Sequence, residues 1–427
     1  MTAERRGDGR PRRVVVTGIG PITASGTGVE ELWANVHRGV SPMTEVTRFD
    51  ASPFRTRIAA EVPDFDPRRY IEDRQARRMD RFAQFSLAAT RLALDDARFD
   101  LAGADPARVA VHMGSALGGL AHAQEQMMNF VERGVRSVDP RVATTVFCGA
   151  ASCQVAIEFG FTGPNSTNAM SCASGTIAVG EAFRLIREGT VDAAVAGGIE
   201  APLAPLSYGA FAIIRAMSQR NDDPGRACRP FDRDRDGFVM GEGACVLVLE
   251  EESRARARGA HVYAEILGYG LTNDAHHMTA PRPDGSQAAA AMQAALDGAG
   301  VAPGEVDHVN AHGSSTPLND STESLAIRRV MGEHADHVTV SGTKPFYGHA
   351  LGASGAIEVG LACLSIQEGW APPTLNLEAP GEGCDLDYVD GSGRSQRMRT
   401  VLSNSFGFGG INASVLLRAP DAGTAPA

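Results

Sequence analysis

The chain has 427 residues, 43% of them hydrophobic, a formal net charge of −11 and seven cysteines. The acidic balance disfavours a nucleic-acid binder, and no apolar run of about 18 residues marks a membrane span, nor any leader a signal peptide. The cysteines at 148, 153, 172, 228, 245, 363 and 384 contain no CxxC pair, which argues against a zinc or other metal site and for a reduced, cytoplasmic protein.

Residues 1–12 form a basic, low-hydrophobicity leader that reads as disordered. Arg13 to Gly20 reads as a buried strand ending in a glycine turn, and Val29 to Val36 as a helix. Gly18 and Gly20 begin a GxG, but no third glycine follows at the dinucleotide spacing, so a nucleotide site is rejected. Residues 67–98 are expected to form a long helical region whose Arg68, Arg69, Arg74, Arg77, Arg78 and Arg81 make a local positive patch. Val109 to Ser115 is a strand ending at Gly118-Gly119. Residues 147–160 form a helix of small residues, and Gly163-Pro164 turns the chain.

Ser171-Cys172-Ala173-Ser174-Gly175 opens a helix-spaced apolar pattern closed by Gly189. A thiol at a helix N-terminus meets unpaired N–H groups and the positive end of the dipole, so the thiolate is expected to be favoured. Strands follow at Val191 to Gly198, Glu242 to Leu249 and Ala264 to Tyr269. The charged loop 229–237 resembles a calcium loop only superficially, because no bidentate Glu stands in register. Val306 to Ala311 is a strand delivering His312 into a loop with Ser314, Ser315 and Thr316. Gly342 to His349 precedes a second small-residue helix from Gly352. Residues 403–412 hold the glycine-rich Gly407-Phe408-Gly409-Gly410, and a last strand reaches Leu417 before a loose tail, 419–427.

The chain contains itself twice. Cys172 to Gly189 and Gly352 to Gly369 agree at ten of eighteen positions, and Gly241 to Leu249 parallels Gly409 to Leu417. Two α/β halves, 13–260 and 261–418, are therefore expected. Where the halves differ, function is expected. Cys172 stands opposite Gly352, and the second half brings His312, Lys344 and His349.

A helix-tip Cys with imidazoles suits acyl transfer through a thioester. Two neutral imidazoles donating from Nε2 could hold an enolate. The N–H groups of the 407–410 loop, with that of Cys172, form a candidate oxyanion hole. The hydroxyls of Ser314 and Thr316 suit an amide-bearing substrate arm.

These residues resemble the β-ketoacyl-(acyl carrier protein) synthases of the elongating type, the condensing enzymes of fatty-acid and type II polyketide assembly. The resemblance runs from about Val14 to Leu417. It includes Arg215-Ala-Met-Ser218, Arg229-Pro-Phe-Asp232, Asp274 to Thr279, Asn310-Ala-His-Gly313, Gly348-His349 and Asn404 to Gly410. It implies a thiolase-like fold of two duplicated α/β halves layered α-β-α-β-α. It implies that Cys172 takes the growing acyl chain, and that His312 and His349 assist decarboxylation of malonyl-carrier protein. Lys344 would orient the site, and Glu323 would fill a polar or cation position behind it. Cys172 and Phe408 would supply the oxyanion hole. Phe408, with Phe406, would gate the site, and Leu117 would control the acyl pocket. Ser314 and Thr316 would hold the phosphopantetheine arm brought by the carrier, with no cofactor of the enzyme's own. Arg74, Arg77, Arg78 and Arg215 would meet the acidic carrier. The family is dimeric, as a homodimer or with a chain-length-factor homologue.

Rival readings are weaker. A thiolase needs a second catalytic Cys, and the only late one, Cys384, sits in an acidic loop. A Cys-His-Asn enzyme would lack His349. A chain-length factor, the non-condensing partner subunit, normally lacks the nucleophile that Cys172 supplies. Phe346 and Tyr347, and Cys148 with Cys153, are not the commonest choices for this family and leave the pathway open.

Overall fold

The computed structural model describes residues 11–421. The first ten residues of the expected leader and the last six of the expected tail lie outside them. The parts of both that are described are anchored. Arg12 pairs with Asp192 at 2.8 Å, and Asp421 with Arg13 at 3.1 Å.

Mostly buried runs form the strands, and each half uses them in one order. The first half has β1 (Val14–Thr23), β2 (Val109–Gly114), β3 (Asn165–Asn168), β4 (Ala193–Glu200) and β5 (Gly243–Glu251). They lie side by side as β3-β2-β4-β5-β1. The second half has β6 (Ala264–Asn273), β7 (His308–Ala311), β8 (Thr339–Gly342), the two-residue β9 (Asp387–Tyr388), β10 (Thr400–Gly407) and β11 (Ile411–Arg418). Its order, β8-β7-β10-β11-β6, repeats the first with β9 added at the edge. In both halves the first three neighbours pair parallel and the rest antiparallel. The halves join where Val14–Val16 of β1 pairs antiparallel with Ala264–Ile266 of β6.

Three apolar cores separate the layers. Helices α1 (Arg81–Asp96) and α2 (Ala150–Phe159) cover the outer face of the first sheet. Helices α3 (Ser174–Arg187) and α4 (Ser354–Glu368), the two copies of the repeat, lie between the sheets. Helices α5 (Ser286–Ala299) and α6 (Pro317–Met331) cover the second sheet. This is the expected α-β-α-β-α layering. The inner helices carry small residues where their backbones approach, as at Gly175, where a Cβ would lie 2.8 Å from Gly352 O.

The expected long helix over 67–98 is broken. A turn at Pro67–Arg69, a single helical turn at Asp73–Ala76 and α1 replace it. Asp80 is extended (ψ 157°), which resets the chain before α1. Arg81 then turns inward onto Glu242, at 2.9 Å, a carboxylate it shares with Arg48. It therefore leaves the expected surface patch.

Candidate active site

Cys172 lies in a 3-10 turn, Ser171–Ala173, that leads into α3. Its twin turn, Leu351–Ala353, leads into α4. Ser171 and Leu351 both have positive φ, 51° and 39°. This strained elbow projects the next residue from the start of the buried helix. At Cys172 the projected group is the thiol. At Gly352 a Cβ would stand 2.6 Å from Ala116 N and 2.8 Å from Glu200 Oε2, so no side chain fits. The buried Glu200 carboxyl fills that place and accepts N–H groups from Gly352 (3.0 Å), Ala116 (2.6 Å) and Leu117 (3.1 Å). Burial pushes it up to about 7.

The second half delivers the imidazoles. His349, after β8, places Nε2 3.0 Å from Cys172 Sγ and Nδ1 3.0 Å from the Ser354 hydroxyl. His312, after β7, stands across the site with its ring centroid 5.4 Å from that of His349. Burial, helped by the charge of Lys344, holds both imidazoles well below their ordinary values, so both are neutral. Lys344, fully buried, donates to the His312 carbonyl, to His312 Nδ1 (3.3 Å) and to Glu358. An ammonium has three protons and no lone pair. His312 Nδ1 must therefore accept, and the ring's own proton sits on Nε2. The Ser354 hydroxyl can donate or accept and leaves His349 free to carry its proton on either nitrogen.

The sulfur differs from the expectation. Burial pushes the Cys172 thiol up to about 12, against the opposing pull of Lys344 and of the Phe408 N–H. The resting group is a neutral thiol, because desolvation outweighs what the helix start provides. The N–H groups of Phe408 and of Cys172 itself both act on the sulfur. Gly407 makes this possible, since a Cβ there would lie 3.2 Å from Cys172 N. Phe408 stacks on Phe211, with centroids 6.0 Å apart, and the two residues after it have φ of 88° and 75°, a backbone that only glycine adopts freely. Phe406 lies 5.9 Å from the His312 ring.

A cavity of about 390 Å³ joins these groups to the surface. Cys172, His312, His349, Phe406 and Phe408 line its floor, and Ser314, Thr316 and Arg215 line its walls. The Ser314 and Thr316 hydroxyls are 2.9 Å apart, and Thr316 also caps α6. Glu323 lies behind the site, where its two oxygens accept the N–H groups of His312 (2.8 Å) and Gly313 (2.9 Å). Leu117 is outside the walls of this cavity, its backbone held by Glu200. Arg74, Arg77 and Arg78 are exposed. Arg77 pairs with Asp73 at 2.7 Å.

Sequence reasoning missed Glu358, Glu200 and Ser354. Glu358 had a signal, being the one charged residue between Ser354 and Gln367, opposite Ala178 in the repeat.

The duplicated, layered α/β fold with a thiol at the start of its buried helix is that of the thiolase-like class. Within that class the chain belongs to the beta-ketoacyl synthase family: the family's N-terminal and C-terminal domain models match residues 11–255 and 263–378. It is 44% identical to "3-oxoacyl-[acyl-carrier-protein] synthase 2" of Synechocystis sp. over 95% of this chain and 98% of that protein. The protein of the same name from Coxiella burnetii is 43% identical over the same shares. Among solved structures, the ishigamide ketosynthase/chain length factor matches with a TM-score of 0.91 and 36% identity, over 96% of this chain and 100% of that one. A type II PKS ketosynthase solved with its acyl-carrier protein and bound to the hexaketide matches at 0.90 and 36%, over the same shares.

Proposed function

We propose that this protein is an elongating β-ketoacyl-(acyl carrier protein) synthase, an acyltransferase that condenses an acyl thioester on Cys172 with malonyl-carrier protein. The observation that carries the reading is the 3.0 Å contact between Cys172 Sγ and His349 Nε2, with His312 facing it. In the first half-reaction the Cys172 sulfur attacks the carrier's thioester carbonyl. Its proton passes through His349 to the departing carrier thiol. The N–H groups of Cys172 and Phe408 hold the tetrahedral oxyanion. In the second, the malonyl carboxylate leaves as CO2. The electron pair left behind forms an enolate whose oxygen takes hydrogen bonds from Nε2–H of His312 and of His349, the latter with Ser354 donating to Nδ1. The enolate carbon attacks the Cys172 thioester, a C–C bond forms, and the sulfur leaves as thiolate and takes up one proton from solvent. No electrons are exchanged with an outside acceptor.

Ser314 and Thr316 hold the carrier's phosphopantetheine arm along the cavity wall. Lys344 and Glu323 fix the backbone and ring of His312. Phe408, with Phe406, gates the cavity by movement at Gly409-Gly410, and Leu117, outside that cavity, would control an acyl chain extending beyond it. Arg74, Arg77, Arg78 and Arg215 receive the acidic carrier. Identity of 42–44% to synthase 2 relatives favours fatty-acid elongation. Polyketide elongation is the second reading, supported by the 36% neighbours. The helix Leu120–Arg133 exposes Met127, Met128, Phe130 and Val131 on its surface. That face is covered by a second copy of the chain or by a chain-length-factor homologue. The work is cytoplasmic, consistent with seven unpaired thiols and with no helix of the described residues long and apolar enough to cross a membrane. A non-condensing role for this chain is disfavoured by Cys172 itself.

The test is intact-mass spectrometry after mixing with saturated, unsaturated and β-keto acyl-carrier proteins, with Cys172→Ala as control. One acyl mass on the wild type and none on the variant is expected. Acylation that survives in Cys172→Ala refutes the nucleophile. Saturated chains of many lengths mark fatty-acid elongation, and a restricted starter marks a dedicated polyketide pathway.

A further inference from the structure

The ion pair behind His312 has a third member that the reaction as described does not use. Tyr347 is fully buried, its ring in the core layer between the two sheets. Its hydroxyl donates to Glu358 Oε1 at 2.9 Å, the same oxygen that receives Lys344. Thr343 Oγ1 lies 3.4 Å away on the other side of the hydroxyl. Burial beside Glu358 holds the phenol well above its ordinary value, so it remains a donor.

We propose that Tyr347 is a positioning residue for decarboxylation: it holds Glu358 on Lys344, and through them holds His312 in the form that donates from Nε2. The proposal rests on the role given to His312 above. A carboxylate with no solvent must find its donors in the protein. Glu358 Oε1 has two, and they pull on one oxygen from different directions. Remove the hydroxyl, and the carboxylate keeps only Lys344 and the Ser405 hydroxyl as side-chain partners. The carboxylate then rotates or takes up a proton, and either change loosens Lys344. A loosened ammonium no longer fixes His312 Nδ1 as the acceptor, so the ring spends time with its proton on the wrong nitrogen. The chain Tyr347–Glu358–Lys344–His312 does not pass through His349, whose Nδ1 is held by Ser354. Loss of the Tyr347 hydroxyl leaves the Lys344 charge that acts on Cys172 and His349 in place, so only one of the two half-reactions should respond.

The experiment uses the full-length protein and Tyr347→Phe, which keeps the ring and removes the hydroxyl. Acylation of Cys172 by acyl-carrier protein is followed by intact mass. CO2 release from malonyl-carrier protein is followed separately. The expected result is a fall of about tenfold in kcat for CO2 release, the scale of one hydrogen bond to a charged group, with KM and the acylation rate unchanged. In a Glu358→Gln background the same substitution should have no further effect on CO2 release. The proposal is overturned if both half-reactions slow together, if neither changes, or if the tenfold loss recurs in the Glu358→Gln background. A wild type that performs neither half-reaction refutes the proposed function itself, a result distinct from an active wild type with an unaffected variant.

Discussion

Lys344→Met separates what the buried ion pair does for the fold from what it does for the chemistry. Lys344 and Glu358 are both wholly excluded from solvent. Their pairing is no large asset to stability, since both ions were desolvated to make it. Losing one member is another matter, because Glu358, which burial already holds above the usual carboxylate range, must then keep a charge with no counter-ion or take up a proton, at a cost of up to about 3–5 kcal/mol. Unfolding entropy of about 2.1 cal/mol/K per residue gives roughly 0.9 kcal/mol/K for a chain of this length, so Tm should fall by ~3–6 °C. Adding Glu358→Gln removes the stranded charge, keeps an acceptor for Tyr347 and should restore most of that loss. It should not restore decarboxylation, because nothing then fixes the His312 tautomer. Calorimetry and CO2 release from malonyl-carrier protein read the two effects independently. A single variant melting within about 1 °C of wild type, or a double variant that regains decarboxylation, would refute the reasoning.

The resting thiol offers a test by pH. With burial holding Cys172 up to about 12, the thiolate fraction is small near neutrality and rises tenfold with each pH unit below that value. Inactivation by iodoacetamide should therefore accelerate continuously from about pH 7 to 9, and a plateau below about pH 8 would mean that a thiolate already exists at rest. Reversing charge at Arg77 and Arg78 should raise KM for acyl-carrier protein about tenfold or more and leave KM for a small acyl thioester unchanged. Equal effects on both substrates would remove these arginines from the docking face.

Much of this was legible because duplication supplies an internal control. The pairing of Cys172 with Gly352 singled out Cys172 as the candidate nucleophile, and the structure adds why the twin is bare: Glu200 and Ala116 occupy the space. Placing His312 and His349 at strand ends put both beside the thiol. What sequence could not carry was the balance of opposing terms. The helix start favours a thiolate and burial opposes it, and only the packed structure says which is larger. The charge on Arg81 read as surface, but its partner, Glu242, is 161 residues away in the chain. Glu358 was visible as a lone acid in an apolar helix, yet nothing local ties it to Lys344 and Tyr347.

The Glu200 carboxyl in the second elbow has a further meaning. Gly352 N–H is the counterpart of the Cys172 N–H, so the duplicated chain possesses two anion cradles at the starts of its two central helices. One, at Cys172, opens onto the cavity. The other is plugged by an acid from the chain's own β4, hydrogen-bonded to three backbone N–H groups. A tethered occupant faces no translational loss on binding, and its effective concentration exceeds what a free acyl group reaches in solution. The second cradle is filled by the chain's own carboxyl, which among the described residues leaves the elbow at Cys172 as the one open to an incoming group despite the doubled architecture.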